Sequence, residues 1–573
     1  MTSQKAETLA LETYARRGYH YLSQMVDADN LPYFDIFWAE PAEAAHDWPD
    51  FGDVMSRQLQ AAIMARHMTG DAVATEQAWH AKMLSYIDPA SGLLYRPKTN
   101  YSEHVADGGD QSLTLYTLVT AYLDNHDPQL RRIILNAVNT LLERTRAGIS
   151  IGQGFIGGFI IKSLMTCARQ LESAAALELA GLLVKRVFED EPLFTPDNQF
   201  LAGGHMHGNL RTLVGVTDYA LYTHDAVLYS RADALYRYVR SLGTRFGFLP
   251  EADRRQGDIV SCETCALMDY VGLAVTLANH GHPEYWGDVE RTVRNQLIEN
   301  QVVDGSWLHS DATCPDTDQF TWRAIGERMV GGYAGWSSPT HILAARETLG
   351  AHWGGAELKN KTRAFQNCCG GSGTHAYFIA WKNASRVAEG KLSVNLLMDK
   401  LLPEAEIRSY QPYQGLLTIF LKAPLIVRVR IPEFTQGTAM MAEANGVEIP
   451  AVTWGNYLEL GSHPAGTLLK ISYPLPIYDE EVSIGNPGFR HYHYRATWKG
   501  DTVVKMQPLG NDDKTGYSDF DKQNVPIFYG EEGPGRLYQR EGFLQDILPQ
   551  PAPLHQDDGA LDFWYFDASQ KER

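Results

Sequence analysis

The chain has 573 residues, too many for one ordinary hydrophobic core, so two or three domains are expected. Apolar residues make up 44% and charged residues 21%, the balance of a globular protein, and a net charge of −19 with a pI near 5.4 argues against nucleic acid or an anionic membrane surface as partner. No stretch reaches the roughly 18 uncharged apolar residues of a membrane span, and residues 1–23 carry no leader pattern. With only 6 cysteines, the expected location is a reducing cytoplasm, where thiolates survive as ligands or nucleophiles.

Residues 1–390 read as helix after helix. Apolar residues recur at helical spacing over 54–68, 112–123, 130–144, 159–171 and 174–188, then over 210–222, 226–242, 266–279 and 289–299. Short polar links at 124–127, 223–225 and 279–282 join neighbours, as antiparallel helical hairpins require. So many hairpins predict an (α/α) toroid around a central cleft, with an open solenoid as the alternative. The pattern changes near Gly390. Strand-like runs follow at 392–397, 416–422, 425–431, 457–460, 468–473 and 489–506, split by turn signals such as Asn445-Gly446 and Lys499-Gly500-Asp501. They predict an antiparallel β-sandwich over 391–510. The remaining segment, 511–573, mixes acidic residues, prolines and aromatics, and is expected to pack on the body.

Two short stretches carry the strongest chemical signal: Glu263-Thr264-Cys265, and the adjacent pair Cys368-Cys369. Neighbouring Cα atoms lie about 3.8 Å apart, inside the lower limit of about 4.4 Å for a disulfide. The pair is therefore two core thiols or two thiolates on a soft cation. Three sulfurs and a carboxylate suit a tetrahedral zinc ion. Glu263 and Cys265 can converge only where the chain is extended or entering a helix, since residues two apart on a helix diverge. Cys368 and Cys369 are read as loop residues, with Gly370, Gly371, Ser372 and Gly373, ahead of a helix over 374–387. Cys167, Cys262 and Cys314 read as structural or incidental thiols.

His205 and His207 lie in a glycine-flanked stretch taken as a loop entering the 210–222 helix. They are candidate hydrogen-bond donors to substrate hydroxyls, with a structural role equally open. Glu251 follows apolar Phe248 and Leu249 and is a candidate proton donor, although on pattern alone Asp253 and Asp258 serve as well.

The Glu-Thr-Cys-Ala stretch heading a helix, the cysteine pair about a hundred residues on and the sandwich after it resemble the glycoside hydrolase family 127/146 lineage (DUF1680) of β-L-arabinofuranosidases. Further similar segments are Gly204-His205 through Thr223-His224-Asp225, Glu290-Arg291 with Asn295, the run 392–396, Arg430-Ile431-Pro432 and Asn445-Gly446. The resemblance implies an (α/α)6 barrel followed by the sandwich, and a retaining glycosidase whose nucleophile is a zinc-bound cysteine. It implies Zn2+ on Glu263, Cys265, Cys368 and Cys369, with Cys368 as nucleophile, Glu251 as acid/base and His205 as a sugar contact. The expected partner is a small oligosaccharide or glycoside; a homodimer is one allowed assembly. Two other readings stand beside this one. An unsaturated-uronyl hydrolase or lyase on the same toroid would rely on Asp107, Asp110 and His207. A non-catalytic sugar-binding protein would use the zinc structurally.

Overall fold

The computed structural model describes residues 6–37, 41–71, 74–201, 204–252, 261–342, 347–348, 362–435, 440–485, 491–511 and 534–562. Asp253, Asp258 and the aromatic run 563–566 lie outside them.

Six helices form a closed inner ring: Asp53–Thr69, Gly108–Asn125, Ile161–Gln170, Met206–Thr223, Thr264–Asn279 and Cys368–Asn383, each packed on the next and the last on the first. Outside them stand Leu11–Gln24, Ala74–Ser85, Pro128–Arg146, Ala174–Lys185, Ala226–Leu242 and the run from Trp286 to Leu297. This is an (α/α)6 barrel, and the solenoid alternative falls because the ring closes. Side-chain patterning sorts the two layers. Outer helix Pro128–Arg146 buries Leu130, Ile133, Ile134, Ala137, Val138 and Leu141, a single stripe at three- and four-residue spacing. Inner helix Thr264–Asn279 is buried from Thr264 to Ala278 on every side. Asp127, Ser173 and Asp225 cap the outer helices through their side chains, and His126 and His224 take left-handed backbone at the ends of inner ones.

Several inner helices begin earlier than the apolar pattern suggests. The fourth runs from Met206, so His207 is helical. The sixth starts at Cys368 and ends at Asn383, so Gly370 to Gly373 form its first turns, and Ser385–Ala388 is a strand. Small residues are demanded there by close packing: a Cβ on Gly371 would lie 2.7 Å from the Cβ and carbonyl oxygen of Arg57 on the first inner helix.

A small sheet lies where the chain enters the sixth inner helix, in the order Phe320–Thr321, Glu43–Ala45, Asp35–Phe37, Thr362–Gln366, Glu347–Thr348. Beyond the barrel come the two sheets of the sandwich. One is six-stranded, the other five-stranded, and Leu392, Val394, Ile407, Leu417, Ile419, Val427, Val429 and Leu469 share the core between them. All pairings are antiparallel except Lys391–Val394 beside Leu425–Arg430. The sandwich strands end at Ser472. Ile477–Gly485, His491–Lys499 and Thr502–Asn511 form a separate three-stranded sheet, and Tyr492, Tyr494, Trp498 and Met506 on it join the core of the barrel. Two-residue alternation marks a strand but not the sheet it joins, which is why 489–506 read as part of the sandwich.

The barrel–sandwich joint is ionic and buried. Glu290 on the outer ring accepts from Arg294 at 2.8 Å, from the backbone of Leu397 at 3.1 Å, and from Arg430. Asn295 ties the outer ring to the three-stranded sheet instead, donating to Asp501 and accepting from Val503. Several residues that carried the family resemblance are thus structural.

Candidate metal centre at the mouth of the barrel

The N-terminal turns of the inner helices meet at one end of the ring, and the site is built there. Glu263 sits at the cap position of the fifth inner helix in extended backbone, with φ −100° and ψ 129°, and Cys265 follows in the first turn. This is the extended-to-helical entry that lets residues two apart converge. Cys262 fixes the entry by exchanging backbone hydrogen bonds with Ser337 at 2.9 and 3.1 Å. The sixth helix is fixed likewise: Asn367 donates its backbone N–H to Phe34 at 2.8 Å and its side-chain amide to Tyr33 at 3.0 Å.

Donor atoms of Glu263, Cys265, Cys368 and Cys369 all lie within 4.8 Å of one another, and all four residues are buried. All six cysteines are free, and Cys262 is outside this group. Cys265 Sγ stands 3.5 Å from Cys369 Sγ. Two sulfurs at about 2.3 Å from one tetrahedral ion would be about 3.8 Å apart, so the spacing fits a shared ion. Hydrogen bonds from Cys265 and Cys369 hold the Cys368 thiol down to about 6 against its burial, with the Arg57 charge adding to the effect. Burial pushes Cys265 and Cys369 well up. Three buried sulfurs in hydrogen-bonding range cannot all ionise unaided, and a soft cation is what would let them do so. The residues fit the metal.

Beside this group lies a second one. His205, Glu251 and Glu263 place ligand-type atoms within 4.8 Å of each other, which brings Glu251 to the edge of the cluster. The His205 Nε2–Glu263 Oε2 distance is 2.8 Å. Burial opposes both charges in this pair, yet Glu263 drives His205 up to about 9 and His205 holds Glu263 down to about 2. Glu251 is placed by its backbone, which receives from Met206 and donates to Ser261, and its carboxylate accepts from the Ser261 hydroxyl at 3.3 Å. His205 is about a third exposed, and its ring lies 5.5 Å from that of Phe155.

The expectation that His207 contacts substrate meets a different geometry. Its side chain is buried, and both ring nitrogens are occupied: Nδ1 by Asp269 at 2.6 Å and Nε2 by Arg57 at 3.2 Å. Met206–Thr223 starts four residues before the apolar pattern, and this carries His207 inward. Asp107 and Asp110, the residues of the uronyl-hydrolase reading, also serve the fold. Asp107 caps Gly108–Asn125 through its carboxylate, and buried Asp110 is ion-paired with Arg96 at 2.5 Å. Nothing in the sequence singles out Arg57 or Asp269, and Ser372 reads there only as a loop residue.

No family model and no curated protein matches the chain by sequence. Solved structures do match. A GH127 β-arabinofuranosidase aligns over 86% of this chain and 81% of its own, with a TM-score of 0.56 and 15% identity. The GH127 β-L-arabinofuranosidase from Geobacillus stearothermophilus T6 aligns over 86% and 80%, with a TM-score of 0.53 and 12% identity. A third structure, described as a glycoside hydrolase, covers 84% of both chains at 0.53 and 13%. The fold is that of the GH127 β-L-arabinofuranosidases. Barrel and sandwich therefore occur in a known hydrolase arrangement, and the chemistry is read from the side chains at the barrel mouth.

Proposed function

We propose that the protein is a zinc-dependent retaining exo-glycoside hydrolase acting on β-L-arabinofuranosides or closely related small glycosides, in the cytoplasm. The observation that carries this reading is the convergence of Glu263, Cys265, Cys368 and Cys369, with Glu251 at its edge, on the open end of a GH127-like barrel. When bound by these four residues, zinc would keep the sulfurs ionised and fix their directions.

Cys368 is the nucleophile. It is the one sulfur whose environment favours the thiolate, and it keeps some exposure while Cys265 and Cys369 have none. Its Sγ attacks the anomeric carbon, and the electron pair of the glycosidic bond passes to the leaving oxygen. Glu251 protonates that oxygen. Glu251 then takes a proton from water, whose oxygen attacks the same carbon and releases the Cys368 thiolate. Two inversions give retention. Through the ring edge not used by Glu263, His205 hydrogen-bonds a sugar hydroxyl, and the ionic partner Glu263 keeps the imidazole oriented.

The direct test is a panel of para-nitrophenyl furanosides and pyranosides assayed with reductant, with and without zinc. The expected result is strongest turnover on the β-L-arabinofuranoside, loss on chelation, and recovery with zinc. Turnover that survives both chelation and cysteine alkylation would remove the mechanism.

A further inference from the structure

Below the four candidate ligands, a chain of buried polar groups crosses the barrel. Asp269 on the fifth inner helix holds His207 Nδ1 at 2.6 Å, and Arg57 Nη2 on the first inner helix meets His207 Nε2 at 3.2 Å. The other fork of Arg57 donates from Nη1 to Ser372 Oγ at 3.0 Å, one turn beyond Cys368 on the sixth inner helix, and its Nε pairs with Asp53. Arg211 approaches Asp269 at 3.7 Å from below and lies over the Tyr116 ring.

The donor inventory settles the direction of every bond. A guanidinium has no acceptor, so His207 Nε2 must be the bare nitrogen and Nδ1 must carry the proton that Asp269 accepts. The imidazole is thereby locked in one tautomer, with no ring nitrogen left for a sugar or an ion. Each of the three guanidinium nitrogens of Arg57 also has a partner. Burial would discharge the guanidinium, but Asp53 first, then Cys265 and Cys368, favour its charged form, which places it in the field of the reacting sulfur. The bare Cα of Gly371 is what lets the two helices come close enough for Arg57 to reach Ser372.

We propose that Arg57, held by the Asp269–His207 pair, is a positioning residue: it anchors the first turn of the cysteine helix through Ser372 and so sets the direction of Cys368 Sγ. This rests on the hydrolase reading above, in which Cys368 attacks the sugar. Neither Arg57 nor His207 touches substrate. An anchor of this kind acts on the orientation of the nucleophile, where a displacement of about 1 Å costs about a hundredfold in rate.

The test uses the full-length zinc-loaded protein and its Arg57→Met, Arg57→Lys and Ser372→Ala variants. It reads kcat, KM, zinc content and the ring-nitrogen NMR shifts of 15N-labelled His207. Arg57→Met is expected to lower kcat about a hundredfold with KM within about threefold and zinc retained. Lysine reaches one of the two neighbours but cannot fork to both, so Arg57→Lys should recover about tenfold of that loss. Ser372→Ala removes only the last link and keeps the buried charge paired. It should lower kcat about tenfold, and it decides the matter if Arg57→Met does not fold. The wild-type spectrum should show His207 protonated on Nδ1 alone. An imidazolium or an Nε2-protonated ring would overturn the relay. Unchanged kcat in Ser372→Ala would overturn the anchoring, and a rise in KM alone in the Arg57 variants would make Arg57 a substrate contact instead. The NMR result does not depend on turnover. An inactive wild type with the expected tautomer would therefore defeat the hydrolase reading and leave the relay standing.

Discussion

In the proposed mechanism two residues at the barrel mouth divide the reaction between them, Cys368 as nucleophile and Glu251 as proton donor and acceptor. Removing the acid has a consequence that removing a binding residue does not. Glu251→Gln should slow hydrolysis of alkyl β-L-arabinofuranosides by about 10²–10⁴-fold. The first step with a para-nitrophenyl leaving group, which departs without help, should be much less affected. A uniform loss on both substrates, measured as kcat/KM, would move the acid/base role elsewhere. The four candidate ligands were legible from the sequence because each pair lies within three residues and contains cysteine, a rare residue in this chain. His207 was not. Its partners Asp269 and Arg57 are 62 and 150 residues away, and nothing local distinguishes a histidine satisfied at both nitrogens from one aimed at a ligand. The available signal for the relay was Gly370-Gly371-Ser372-Gly373, whose small side chains mark a close helix approach as readily as a loop.

At the scale of the elements, the toroid was legible because helix length and apolar spacing repeat, and the polar links between hairpins end in capping residues such as Asp127 and Asp225. Boundaries were less so. The inner helices are buried all round, so their first turns lack the one-sided stripe that announces a helix, and this is where His207, Cys368 and Cys369 sit. The small sheet beside the site escaped notice for another reason. Its strands are two to five residues long, and two of the pairings span hundreds of positions, as Asp35 with Gln366 and Ala44 with Thr321 do, leaving too little alternation to detect. In the sandwich, by contrast, every second residue is buried along Leu416–Leu421, inside the run 416–422 read as a strand.

The whole molecule is tied together by its C-terminal stretch. Residues 534–562 run from the three-stranded sheet across to the outer barrel wall. Lys505 bridges to Gln539, Glu7 to Gln550 and Leu401 to Gln556, and the side chain of Asp557 binds both Lys382 and Lys400 at 2.6 Å. The same stretch closes on His67, whose Nε2 faces Asp124 at 2.6 Å and whose Nδ1 faces Asp558 at 2.9 Å. Burial works against the imidazolium, but the hydrogen bonds and charges of Asp124 and Asp558 raise the His67 pKa above its ordinary 6.5. A histidine raised in the folded state stabilises fully below its unfolded pKa, and that contribution fades as pH rises through the folded value. Thermal unfolding followed upward from pH 6 should therefore show a loss of stability on the alkaline side that His67→Gln lacks. Parallel curves for the two proteins would show that the clasp carries no such proton linkage.

Covalent attachment of the sugar to Cys368 is tested most directly by mass spectrometry of the peptide carrying Cys368. The protein is mixed with a β-L-arabinofuranoside at saturating concentration, quenched in acid during turnover and digested. The expected result is a pentosyl adduct on Cys368 that is absent without zinc and absent from Cys368→Ser, with turnover abolished in that variant. An unmodified Cys368 in a protein that is turning over, together with full activity in Cys368→Ser, would contradict it.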